Sequence, residues 1–133
     1  MAHYAFLDEN NIVTDVIVGR DENDLVDGIT NWEEYYASER GQVCKRSSYN
    51  TKENSHLLGG TPFRGNYAGV GCKYDAELDI FIPIKEYESW IFSPELASWV
   101  APVEKPQDEK YYKWDESTVS WVEDVEEYIE PID

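Results

Sequence analysis

The strongest constraint on the fold is a spacing that recurs three times: two aromatic residues seven positions apart, separated by turn-forming residues. The segments are Tyr74-Asp75-Ala76-Glu77-Leu78-Asp79-Ile80-Phe81, Phe92-Ser93-Pro94-Glu95-Leu96-Ala97-Ser98-Trp99 and Trp114-Asp115-Glu116-Ser117-Thr118-Val119-Ser120-Trp121. In each, an Asp or Ser follows the first aromatic, and such side chains bond their own backbone a few residues on and start turns. Strands on either side of the turn bring the two aromatics opposite each other, where a cross-strand contact contributes roughly 0.2–1 kcal/mol. Tyr74 with Phe81, Phe92 with Trp99, and Trp114 with Trp121 are therefore read as architectural pairs. They mark a binding or assembly protein without naming its partner.

The rest of the chain fits a β-rich α+β fold. Residues 4–19 read as strand, turn and strand, with Asp8-Glu9-Asn10-Asn11 forming a fourth turn of the Asp-Glu type and β-branched residues after it. One short helix follows: Thr30-Asn31-Trp32-Glu33 has the form of a capping box, Arg40 lies near the end, and Gly41 stands where the chain leaves the helix. Trp32, Tyr35 and Tyr36 share a face that packs on the sheet. Residues 42–49 alternate as a strand, and 50–71 form a long Gly-rich loop around Thr61-Pro62-Phe63-Arg64, read as wrapping the surface. The expected organisation is a compact α+β unit over 1–83 carrying that loop. A Trp-rich hairpin segment with an acidic tail follows over 84–133.

Charge limits the partners. The 133 residues carry a formal −17 at pH 7, which disfavours nucleic acid and anionic membrane surfaces. Between Arg40 and Lys73 six cations face one acid, Glu53, for a net +5, leaving −22 elsewhere. This split reads either as an ordinary solvated surface or as complementarity that sets register between neighbouring polypeptides, and the same +5 segment disfavours a mimic of nucleic acid. The expected contact surface is Phe63 and Arg64 of the loop, Arg46 of the preceding strand, and Tyr128, Ile129 and Ile132 of the tail. No apolar run long enough to span a bilayer and no leader-like start is seen, so a soluble protein made in a cytoplasm is expected.

Catalytic and metal constellations do not assemble from these residues. His3 and His56 have no ligand-spaced companion, Asp21-Glu22-Asn23-Asp24 departs from a calcium loop at Leu25, and the glycines match no phosphate cradle. No cofactor is expected, and the chain is read as a non-enzyme. Cys44 and Cys72 read as two reduced thiols, with a disulfide as the alternative if the protein acts outside the cell in a particle.

The strings Gly41-Gln42-Val43-Cys44-Lys45-Arg46-Ser47-Ser48-Tyr49-Asn50-Thr51 and Gly59-Gly60-Thr61-Pro62-Phe63-Arg64-Gly65-Asn66-Tyr67-Ala68-Gly69-Val70-Gly71, with Tyr74-Asp75 and Ser89-Trp90, resemble a family of small proteins of marine tailed bacteriophages, chiefly those infecting cyanobacteria. The opening at Phe6-Leu7-Asp8-Glu9-Asn10-Asn11-Ile12-Val13 and the closing Tyr112-Lys113-Trp114-Asp115-Glu116-Ser117-Thr118-Val119-Ser120-Trp121-Val122 extend the resemblance over nearly the whole chain, while Lys52-Glu53-Asn54-Ser55 replaces a more glycine-rich turn. The resemblance implies a virion structural protein, made in the host cytoplasm and localised to the particle. It would be a capsid decoration or minor capsid component, or a neck or tail accessory, binding other virion proteins in multiple copies. The alternative is a carbohydrate-binding host-adsorption module that uses the Trp and Tyr rings on a host surface glycan.

Overall fold

The computed structural model describes residues 2–124. Within them, eleven strands and one helix run in chain order: β1 (Ala2–Leu7), β2 (Val13–Gly19), α1 (Trp32–Arg40), β3 (Val43–Ser47), β4 (Thr51–Lys52), β5 (Ser55–His56), β6 (Lys73–Asp75), β7 (Ile80–Ile82), β8 (Ile91–Ser93), β9 (Ser98–Val100), β10 (Tyr112–Asp115) and β11 (Ser120–Glu123). β1 is central in an antiparallel sheet of order β2-β1-β3, and the other strands form two-stranded hairpins in sequence order. The β-rich α+β character thus holds. No helix among the described residues is long and apolar enough to cross a membrane.

The chain divides into two compact units, one of residues 1–84 with 92–98, the other of residues 85–91 with 99–133. The turn of the β8–β9 hairpin, Phe92–Ser98, belongs to the first unit.

In the first unit, β1 is buried on both faces, and period-two alternation divides its side chains. Ala2, Tyr4 and Phe6 face α1 and cluster with Trp32 and Cys44, while Ala5 and Leu7 cluster on the opposite face with Val13, Ala68, Tyr74 and Phe81. The expected aromatic face of the helix is present: Trp32 is buried, and Tyr35 and Tyr36 pack beside it against the β1 face. Its start lies one residue later than the sequence reading places it. Asn31 is the N-cap, its side chain accepting from the Glu34 backbone N–H at 3.1 Å while its amide donates to Glu34 at 3.4 Å. Asn is a stronger cap than Thr, and the shift releases Glu33 for other work. Gly41 ends the helix in the left-handed region at φ 75°.

The first hairpin also differs in detail from the later ones. Its left-handed residue is Asn11, three positions after Asp8, whereas Asp79 and Val119 lie four positions after Asp75 and Asp115. A register shift between Phe6 and Leu7 accompanies this shorter offset. The Gly-rich stretch is not purely a surface wrap. It contains the β4–β5 hairpin and sends Thr51, Asn66 and Ala68 into the interior, because Tyr67 N–H bonds Thr51 O at 2.7 Å and Ala68 N–H bonds Ser47 Oγ at 2.7 Å.

Candidate interaction site

Three of the six expected contact residues come together in the first unit. Phe63 lies between two guanidinium groups, with Arg46 Cζ 4.0 Å and Arg64 Cζ 4.8 Å from its ring centroid. Arg64 is held further: its side chain is 12 % exposed, Nη1 is 2.5 Å from Glu33 Oε2, and Nε donates to Asp79 Oδ1 at 2.9 Å. Tyr74 OH donates to the same Asp79 oxygen. Burial opposes the charge on Arg64, yet the hydrogen bond and charge of Glu33, helped by Asp79, raise its pKa above the ordinary value. Burial and the bond to Asp79 together push Tyr74 up to about 12.

This network also seals a sheet edge. Arg46 presents its backbone N–H and C=O away from β1; the N–H donates to Glu33 Oε2 at 2.5 Å and the C=O accepts from Arg64 Nη1 at 3.0 Å. An ion pair thereby occupies the position a fourth strand would take, which blocks edge-to-edge pairing at β3. Arg64 is committed inside the molecule, while Arg46, 23 % exposed and 3.7 Å from Glu22, borders an open depression of about 260 Å³ shared with Tyr4, Glu22 and Trp32. Tyr128, Ile129 and Ile132 lie outside the described residues.

The aromatic pairs follow the sequence spacing. Tyr74 is directly opposite Phe81 and Trp114 opposite Trp121 in register, with ring centroids 5.4 Å and 5.2 Å apart. Phe92 and Trp99 occupy β8 and β9 at the same offset from their turn. All three turns share one left-handed position, the fifth residue after the first aromatic, with φ 53° at Asp79, 49° at Ala97 and 50° at Val119. Asp75 Oδ1 accepts from Leu78 N–H at 3.0 Å, Ser93 Oγ from Leu96 N–H at 3.3 Å and Asp115 Oδ1 from Ser117 N–H at 3.1 Å, which is the self-bonding that starts each turn.

Sequence reasoning missed the residue that ties these loops together. Asn66, buried between the Gly-rich loop and two hairpins, donates from Nδ2 to Phe81 O at 2.8 Å and Ala97 O at 2.7 Å while its Oδ1 accepts from Glu53 N–H at 2.9 Å. Gly65 beside it has φ 76°, and a Cβ there would lie 2.8 Å from Ala97 Cβ. The available signal was a Gly-Asn step in a loop, which by itself reads as a surface turn. Glu33 and Asp79 were likewise missed, since their partners are distant in sequence.

In the second unit the aromatics pack on each other. Trp90 meets Trp114 at 5.7 Å and 89°, Trp114 meets Trp121 at 73°, and Tyr87 lies 5.3 Å from Trp90. Glu116 fixes the arrangement by accepting from Ser89 N–H at 3.0 Å, Ser89 Oγ at 2.6 Å and Trp114 Nε1 at 2.8 Å. Those bonds, Ser89 foremost and then Trp114, hold its carboxyl below the usual range. Trp121 Nε1 donates to Val103 O at 2.8 Å.

Both cysteines are free thiols. Cys44 is buried, which pushes its pKa up to about 12 and keeps it out of thiolate chemistry. Among the described residues no group of three or more His, Cys, Asp or Glu side chains is placed to hold a metal ion. Comparison of the chain with protein-family models, with curated proteins and with solved structures gives no match.

Proposed function

We propose that the protein is a non-enzymatic structural component of a phage particle, a capsid decoration or minor capsid protein or a neck or tail accessory, that binds neighbouring virion proteins. The observation that carries this reading is the use made of the aromatics. Tyr74, Phe81, Trp90, Trp114 and Trp121 are spent on cross-strand and edge-to-face packing, so the repeated motif builds small rigid hairpins.

Apolar side chains are meanwhile left in solvent, among them Leu58 at 79 %, Leu25 at 69 % and Ile84 at 66 % exposure. Exposed apolar surface of this kind suits a chain that packs among other subunits. The uneven charge, basic between Arg40 and Lys73 and acidic elsewhere, supplies a means of setting register between copies or partners.

Glycan adsorption requires open, coplanar ring faces. Trp90, Trp114 and Trp121 cross one another at 59° to 89°, which favours packing over a sugar platform.

Quantitative mass spectrometry of purified particles of the encoding phage tests the proposal. The expected result is several copies per particle. A chain abundant in infected cells and absent from particles contradicts it.

A further inference from the structure

We infer that the turn from His56 to Gly60 is an acid-released latch, which fixes Leu57 and Leu58 at the surface while the His56 imidazole is neutral. The atomic basis is one ring nitrogen: His56 Nδ1 accepts from the Leu58 backbone N–H at 3.1 Å and from the Gly60 N–H at 3.0 Å. A nitrogen that accepts must carry a lone pair, so the neutral ring has its proton on Nε2. Protonation places a hydrogen on Nδ1. The acceptor then becomes a third donor facing two N–H groups, and both bonds are lost.

The surrounding geometry confines the response to the turn. Gly59 N–H bonds His56 O at 3.1 Å and Leu57 N–H bonds Asn50 O at 2.8 Å. The ring lies against Gly60, where a Cβ would be only 3.1 Å from it, so residue 60 admits no side chain unless the imidazole moves. The base is anchored separately: Thr51, opposite His56 in the β4–β5 register, is buried and accepts from Phe63 N–H at 3.1 Å. Lys52 and Glu53 are the charged residues on the strand and turn facing β5, and among the described residues neither forms an ion pair with His56.

What the latch holds is the most exposed pair of adjacent apolar residues among the described residues, Leu57 at 65 % and Leu58 at 79 %. Neighbouring leucines on a pinned turn are ordered before any partner arrives, which lowers the entropy lost when they are buried. Acidification removes that pre-ordering without unfolding the sheet. The inference stands on the turn alone and survives if the particle assignment fails.

The test is amide hydrogen exchange of the full chain by NMR, with the His56 ring followed in the same samples as pH is lowered. Leu58 and Gly60 are expected to lose protection by at least ~10-fold in step with ring protonation, while the Tyr67 amide keeps its own. In His56→Asn, a side chain that can still accept but does not titrate, that acid-dependent loss should vanish. Protection at Leu58 and Gly60 that persists as the wild-type ring titrates, or the same acid-dependent loss in His56→Asn, overturns the latch.

Discussion

The β6–β7 and β10–β11 hairpins share one local plan and differ in what surrounds it. Both place aromatics seven apart in direct register and a left-handed residue two positions before the second aromatic. Around Tyr74 and Phe81 the pair is nearly sealed, at 5 % and 0 % exposure, within a core that includes Leu7, Val13 and Ala68. Trp114 and Trp121 are only partly covered, by Trp90, Tyr87 and the Glu116 network. The spacing therefore specifies the hairpin, and tertiary burial specifies how much that hairpin matters to the rest of its unit. A local motif can be the same twice and carry different energetic weight.

The largest effect should come from the buried member. Phe81→Ala is expected to cost about 3–5 kcal/mol in chemical denaturation, with loss of the first unit's cooperative transition. Asn66→Ala comes next at about 2–4 kcal/mol, because it strands the carbonyls of Phe81 and Ala97 and the N–H of Glu53. Trp121→Ala should cost roughly 2 kcal/mol, read from the remaining tryptophans of the second unit. A larger loss there than at Phe81 would show that tertiary burial does not set the weight of the hairpin.

A smaller effect is expected at the turns themselves. Asp79 and Val119 occupy equivalent left-handed positions, conformations that disfavour L residues and most of all β-branched ones. Val119→Gly should therefore gain roughly 0.5–1 kcal/mol. Asp79→Gly relieves the same backbone but removes the carboxylate that holds Arg64 and Tyr74, and should lose roughly 1–2 kcal/mol. Opposite signs at one turn position would show that context, not turn type, decides.

The pH response is the smallest effect. Glu116 is held below the ordinary carboxylate range by Ser89 and Trp114, so its stabilisation is fully present above the unfolded carboxyl pKa. It fades as pH falls through the lower folded value. Tryptophan fluorescence should report loosening of the Trp90–Trp114 contact in that acid window, and Glu116→Gln should abolish this dependence.

Local elements were legible in the sequence because each is set by residues close together. The seven-residue aromatic spacing, the Asp and Ser turn starts and the aromatic face of α1 follow from neighbours a few positions apart. What escaped depends on distance. Arg64 bonds Glu33, 31 residues away, and Asn66 bonds Ala97, also 31 away, and no periodicity announces such partners. Phe63, Arg64 and Arg46 were read from the sequence as an outward contact surface; their closure into an edge-sealing network depends on Glu33, which the shifted helix cap leaves available. Offsets of one residue, at Asn31 and at Asn11, arise where two good turn or cap residues stand side by side.

Each in-register pair, Tyr74 with Phe81 and Trp114 with Trp121, is a structural unit whose two rings stabilise one another in the isolated chain. A double-mutant cycle on Trp114 and Trp121, measured by denaturation of the purified protein, tests it most directly. A coupling of about 0.5–1.5 kcal/mol is expected. Additive single substitutions, with no coupling between the two tryptophans, would contradict it.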